Sequence, residues 1–174
     1  MTNIPNLSPD FLSWIEKNNF IHKTIVEIGS GFSTIFFTNH FNFVYSFEDN
    51  ENWFTKMKVL SKENNIDNLK LSKFDTETIK KDDFIDLIST ADVFLIDNNP
   101  THIPRSTFVQ IINKHRKEGS IIVLDNGTWN IDAYRILREN YYCIDFPYER
   151  ETGEKTETSV FFKKIERKNK QNLI

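Results

Sequence analysis

The run Ile25-Val26-Glu27-Ile28-Gly29-Ser30-Gly31-Phe32-Ser33 constrains this chain more than any other stretch of it. An apolar segment holding one acid ends in two glycines one residue apart, and Ser33-Thr34 then opens an amphipathic stretch. The pattern predicts a buried strand that turns sharply into a helix across a glycine-rich loop. Such a bend lets a ligand lie against bare backbone at a helix start, where free N–H groups attract an anionic group. A small, nucleoside-containing ligand is the expectation.

Strands and helices alternate along the rest of the chain. Ser8-Pro9-Asp10 reads as a helix start, with Phe11, Trp14 and Ile15 on one face. Strands are expected at 25–28, 43–47, 69–74, 93–96 and 121–124, separated by helices near 34–40, 53–60, 83–90 and 103–119, the last stopping at Gly119. A further helix at 132–139 precedes two strands, 141–146 and 159–164, with 147–157 as a polar loop or hairpin tip. Short apolar runs without polar alternation belong to a parallel sheet covered on both faces, and two strands without an intervening helix to an antiparallel pair. The fold class is therefore α/β: a Rossmann-like, doubly wound, mostly parallel seven-stranded sheet with a C-terminal antiparallel strand. One domain spans 1–165, and 166–174 reads as a basic tail that frays.

Composition excludes several functions. A net charge of −3 gives no electrostatic case for nucleic acid, whose binding rests on neutralising phosphates. The single cysteine, Cys143, cannot form an internal disulfide and sits in an apolar run as core, which favours a reducing cytoplasm. The start of the chain has no apolar run of signal or membrane-spanning length.

Ligands of open parallel sheets collect at the carboxyl ends of the strands. Each of the first five ends here carries an acid: Glu27 beside Gly29 and Gly31, then Glu48, Asp75, Asp97, and Asp125 with Asn126. Glu48 lies nineteen residues beyond Gly29, an interval that suits a ribose hydroxyl pair. Asp75 is placed to accept from an adenine amino group. Phe32 and Trp53 could flank a purine, although Trp53 also fits the inward face of its helix.

These residues, with the terminal strand pair, resemble class I S-adenosylmethionine (SAM)-dependent methyltransferases over nearly the whole chain. The resemblance implies a cofactor site of Glu27, Gly29, Ser30, Gly31 and Ser33 near the methionine part, Glu48 at the ribose, Asp75 by the adenine and Asp97 beside the methyl donor. Ser33 stands where a third glycine is often found. Asp97 with Asp125-Asn126 is similar to the metal triad of catechol-type O-methyltransferases, which implies Mg²⁺ holding an acceptor's hydroxyls. The lysine base of those enzymes has no counterpart, leaving His102, with Asp97, as the catalytic candidate. The segments 125–129, 144–147 and 158–162 also look like a subgroup of small bacterial methyltransferases. Trp129 is open between acceptor pocket and core, and Arg105 and Arg135 read as solvated helix faces, with binding of an acidic acceptor as the alternative.

The resulting expectation is methyl transfer to an oxygen of a small molecule or glycan, with nitrogen as an alternative. A nicotinamide dinucleotide-binding domain fits less well, because Thr34 occupies the last glycine position of its fingerprint. A binding protein that kept the fold without turnover is a third reading. A nucleic-acid methyltransferase is disfavoured, since Asp97-Asn98-Asn99-Pro100 is followed by Thr101 where an aromatic would be needed. The acceptor cap is expected from residues 1–22, from the loop 147–157, or from a second subunit in a homo-oligomer.

Overall fold

A computed structural model describes residues 4–163. Helix α1 (Pro9–Asn18) begins at Ser8, whose Oγ accepts from the Phe11 N–H. Strand β1 (Thr24–Ile28) runs into α2 (Phe32–Thr38), followed by β2 (Phe43–Glu48), α3 (Glu51–Glu63) and β3 (Leu69–Lys73). A 3-10 turn at Thr78–Lys80 leads to α4 (Asp82–Thr90), β4 (Val93–Ile96), α5 (Arg105–His115) and β5 (Ile121–Asp125). Another 3-10 turn, Gly127–Trp129, precedes α6 (Ile131–Asn140) and the hairpin of β6 (Tyr141–Glu149) and β7 (Lys155–Lys163).

The seven strands form one sheet in the order β3-β2-β1-β4-β5-β7-β6. The first five are parallel and β7 is antiparallel to both β5 and β6. This is the Rossmann-like arrangement expected of the sequence. The unbroken apolar strands are split by their period of two. Val26, Ile28, Phe94, Ile96, Ile122 and Leu124 pack under α4, α5 and α6 with Phe84, Ile88, Phe108, Ile112 and Leu137. Ile25, Val93, Leu95 and Val123 face the other way, against Phe11, Ile15 and Phe37 of α1 and α2. Glu27 belongs to this second face, which puts a carboxylate directly beneath the start of α2.

Several boundaries depart from expectation. Helix α2 starts at Phe32 rather than Thr34. Helix α5 ends at His115, and Gly119 (φ +80°) belongs to the turn beyond it. The Arg116 guanidinium there bonds the Ser120 carbonyl, which draws the chain out of the helix early. The hairpin is longer than its apolar content suggested: it pairs through Pro147↔Glu157 to Glu149↔Lys155, leaving 150–154 as the tip. Proline is tolerated because β6 is an edge strand. Cys143 is half-buried rather than core; its thiol donates to Asp145 Oδ1 at 3.0 Å, and burial pushes it up to about 12, which disarms it as a nucleophile. The tail from 166 lies outside the described residues, and no helix among the described residues is long and apolar enough to cross a membrane.

Candidate functional site

The bend after β1 is held from below. Glu27 is fully buried, and its carboxylate accepts from the hydroxyls of Ser33 (2.6 Å), Thr34 (2.5 Å) and Ser46 (2.5 Å). Burial raises it to about 7 despite those donors. Glu27 is thereby closed off from solvent and holds the bend from below. Gly29 (φ +97°) is required on two counts, since a Cβ there would also lie 2.6 Å from the Asn98 backbone nitrogen. The β1 and β4 loops approach each other at that point, which is how the bend reaches Asp97.

Two N–H groups of the bend are engaged within the protein. The Ser30 N–H donates to Glu48 Oε2 at 2.8 Å, and the Gly31 N–H to Thr34 Oγ1 at 3.1 Å. Glu48 also accepts the Asn50 N–H, at 2.8 Å on Oε1. Burial holds its carboxyl above the ordinary value, opposed by those two N–H donors. Each of its oxygens keeps a second lone pair for a hydroxyl. Above the bend lies a cavity of about 340 Å³. Gly29 to Ser33, Glu48, Asp49, Trp53, Asp97, His102 and Asn6 line it. Five residues expected at the cofactor, Gly29, Ser30, Gly31, Ser33 and Glu48, are thereby brought together with Asp97.

Trp53 is a wall of this cavity, 39% exposed and edge-on to Phe32 at 6.0 Å between ring centroids. Its helix buries only Met57 fully, so the face that looked inward is the face toward the cavity. His102 is exposed, and its Nδ1 lies 3.0 Å from Asp49 Oδ2, joining the loops after β4 and β2 across the cavity mouth. Asp75 does not join the others. Its Oδ1 accepts from the N–H groups of Glu77 and Thr78 and from the Thr78 hydroxyl, and these bonds hold its pKa below the usual carboxylate range.

Asp97, Asp125 and Asn126 are close together, but not as a metal site. Arg105, expected on a solvated face, is 6% exposed. It donates to Asp97 Oδ1 (3.0 Å), to the Asn98 carbonyl (2.9 Å) and to the Asp125 carbonyl. Asp125 Oδ1 accepts the Thr158 hydroxyl at 2.6 Å, and Oδ2 accepts from the Asn126 amide with Arg150 Nη2 3.8 Å away. Asn126 Oδ1 accepts from Arg150 Nη2 (3.0 Å) and from Thr156 Oγ1 (2.8 Å). A hard divalent ion needs these same oxygens, and two guanidinium groups and two hydroxyls already engage them. The triad does not fit Mg²⁺. No group of three His, Cys, Asp or Glu side chains suited to a metal occurs among the described residues. Burial pushes the Asp97 carboxyl up against the pull of Arg105, and pushes Asp125 well up, reinforced by Asp97 beside it.

Sequence reasoning missed Arg105, Arg150, Asp49 and Glu157. Glu157, on β7, accepts the N–H and the hydroxyl of Thr128 at 2.7 and 2.9 Å and so fixes the turn carrying Trp129. Trp129 is 48% exposed, with the Arg150 guanidinium 4.8 Å over its ring. The available signal was the hairpin tip itself, where Gly153 marks a tight turn that brings Arg150 back over the sheet end. A further cavity of about 550 Å³ lies between β3 and α4. Lysines and the outer sheet edge wall it, and it shares no lining residue with the cavity above the glycine bend.

No family model and no curated protein sequence matches the chain. Solved structures do. An O-methyltransferase from Bacillus cereus in complex with SAH (S-adenosylhomocysteine) is 16% identical, with a TM-score of 0.71 over 93% of this chain and 85% of that one. A precorrin-6y C5,15-methyltransferase from Geobacter metallireducens is 12% identical, with a TM-score of 0.69 over 92% of each chain. A tRNA methyltransferase from Aquifex aeolicus is 15% identical, with a TM-score of 0.65 over 94% of this chain and 71% of that one. The chain has the fold of class I SAM-dependent methyltransferases, as its sequence resemblance implied, and that fold serves acceptors as different as these three.

Proposed function

We propose that this protein is a SAM-dependent methyltransferase acting on an oxygen of a small molecule or glycan. One observation carries the reading: the glycine bend and the Glu48 carboxylate, joined through the Ser30 N–H, face one cavity that Phe32 and Trp53 close on its apolar side. The methionine part would lie along Gly29, Ser30, Gly31 and Ser33, the ribose hydroxyls on Glu48, and the purine against Trp53. Asp97 would stand by the sulfonium, where a carboxylate favours the positive charge. His102 and Asp97 are the residues placed to take the acceptor's proton.

The scarcity of acid–base groups is no obstacle, because methyl transfer depends mainly on in-line alignment and exclusion of water. A neighbouring cavity of about 610 Å³ shares Asn6 and Phe32 with the cofactor cavity. Residues 4–7, the end of β6 and the hairpin tip wall it, and these segments would form the acceptor cap. The nicotinamide reading is less favoured because the Ser30 and Gly31 N–H groups of the bend already donate to Glu48 and Thr34, and Thr34 takes the last glycine position of that fingerprint.

Calorimetric titration with SAH tests the proposal. The native chain should bind it, and Glu48→Ala should weaken binding roughly ten- to hundredfold, the worth of a hydrogen bond to a charged group. A native chain that gives no heat with SAH or SAM removes the reading.

A further inference from the structure

Arg150 is the unusual group at this site. It reaches in from the hairpin tip, donates Nη2 to Asn126 Oδ1, lies near Asp125 Oδ2 and stacks over Trp129. Its Nε–H is buried and has no partner among the described residues. Burying a charged donor without a partner is unfavourable, so a group that keeps one is suited to meet an acceptor from outside. Arg150 also lines the cavity assigned above to the methyl acceptor, beside Lys56.

Metal-assisted methyl transfer uses a cation both to neutralise clustered carboxylates and to hold an oxygen anion of the substrate. Here Arg105 neutralises Asp97, and Arg150 covers Asp125 and Asn126 while also lining the acceptor cavity. We propose that Arg150 stands in for the divalent ion, and that its free Nε–H holds an oxygen anion, carboxylate or phenolate, of the methyl acceptor. A guanidinium suits this role because its planar fork keeps one edge on the protein while offering another to the ligand. The acceptor class follows: small acids or acidic phenols, positioned without metal. This deepens the methyltransferase reading and rests on it.

The test uses two probes on the native chain and on Arg150→Gln, with Arg150→Ala as a second variant, folding being checked by thermal melting. Mn²⁺ alone, followed by its electron paramagnetic resonance signal, should not bind the native chain and should bind measurably to the variants, which lose the positive charge beside Asp125 and Asn126. Benzoate alone, followed through the emission of Trp129 with Trp129→Phe as the control, should perturb the native chain and not the variants. Stoichiometric Mn²⁺ on the native chain, variants that gain no Mn²⁺, or a benzoate response absent from the native chain or unchanged in the variants would each overturn the proposal. SAH binding is measured separately, so loss of the methyltransferase reading would show there and not in these two titrations.

Discussion

Glu27 shows how a single buried side chain sets the behaviour of the bend. Its carboxyl is raised from 4.5 to about 7 by burial, so the folded state binds a proton that the unfolded state has released between those values. The stability this contributes is complete below pH 4.5 and is lost as the pH rises through 7. A shift of that size is worth roughly 3 kcal/mol. Chemical denaturation across this window should show the native chain losing about that much relative to Glu27→Gln, whose amide does not titrate. Parallel pH profiles for the two proteins would mean that the three hydroxyls keep the carboxylate charged.

At the scale of elements, Arg105 ties two strand ends together. It starts α5 yet bonds the carbonyls at the ends of β4 and β5 and the Asp97 carboxylate, all from a side chain 6% exposed. Removing one partner of a buried ion pair leaves the other charge uncompensated, at a cost of about 3–5 kcal/mol. Arg105→Met should therefore destabilise the protein by that order in urea unfolding. It should also raise the Asp97 carboxyl further, because the guanidinium is what opposes burial there. The hairpin works differently. Its nine-residue strands carry Thr156, Glu157 and Thr158 into the site as donors and acceptors, so β7 is both a sheet member and a site wall.

Across the molecule, stability should be graded from the sheet centre outward. Strands β1, β4 and β5 have neighbours on both sides and apolar residues on both faces, whereas β3 and β6 are edges. Native-state hydrogen exchange should find the amides of β1, β4 and β5 exchanging last, near the global unfolding free energy, and those of β3 and β6 well before them. Equal protection of β3 and β4 would contradict this order. The site sits at the carboxyl ends of the protected strands, so its walls are rigid on the β1–β4–β5 side. The hairpin tip and the residues before α1 supply its other side.

Much of this was legible in the residue order. Short apolar runs at 25–28 (around Glu27), 93–96 and 121–124 read as strands buried on both faces, and a glycine pair after an apolar run reads as a tight bend, because these follow from period, size and backbone freedom within a few residues. Glu48 was found by its interval from Gly29 for the same reason: a strand–helix–strand unit has a nearly fixed length. Arg150, Asp49 and the exposure of Trp53 were not legible. Their positions depend on which helix face meets a cavity and on what a hairpin folds back onto: Gly153 marks the turn, but no local pattern says which strand end Arg150 reaches. The spacing of Asp97, Asp125 and Asn126 was read correctly as proximity and wrongly as a metal site. Local spacing fixes where oxygens gather, whereas the charge that neutralises them arrives from Arg105 and Arg150, the second lying twenty-five residues beyond Asp125 and brought back only by the tertiary fold.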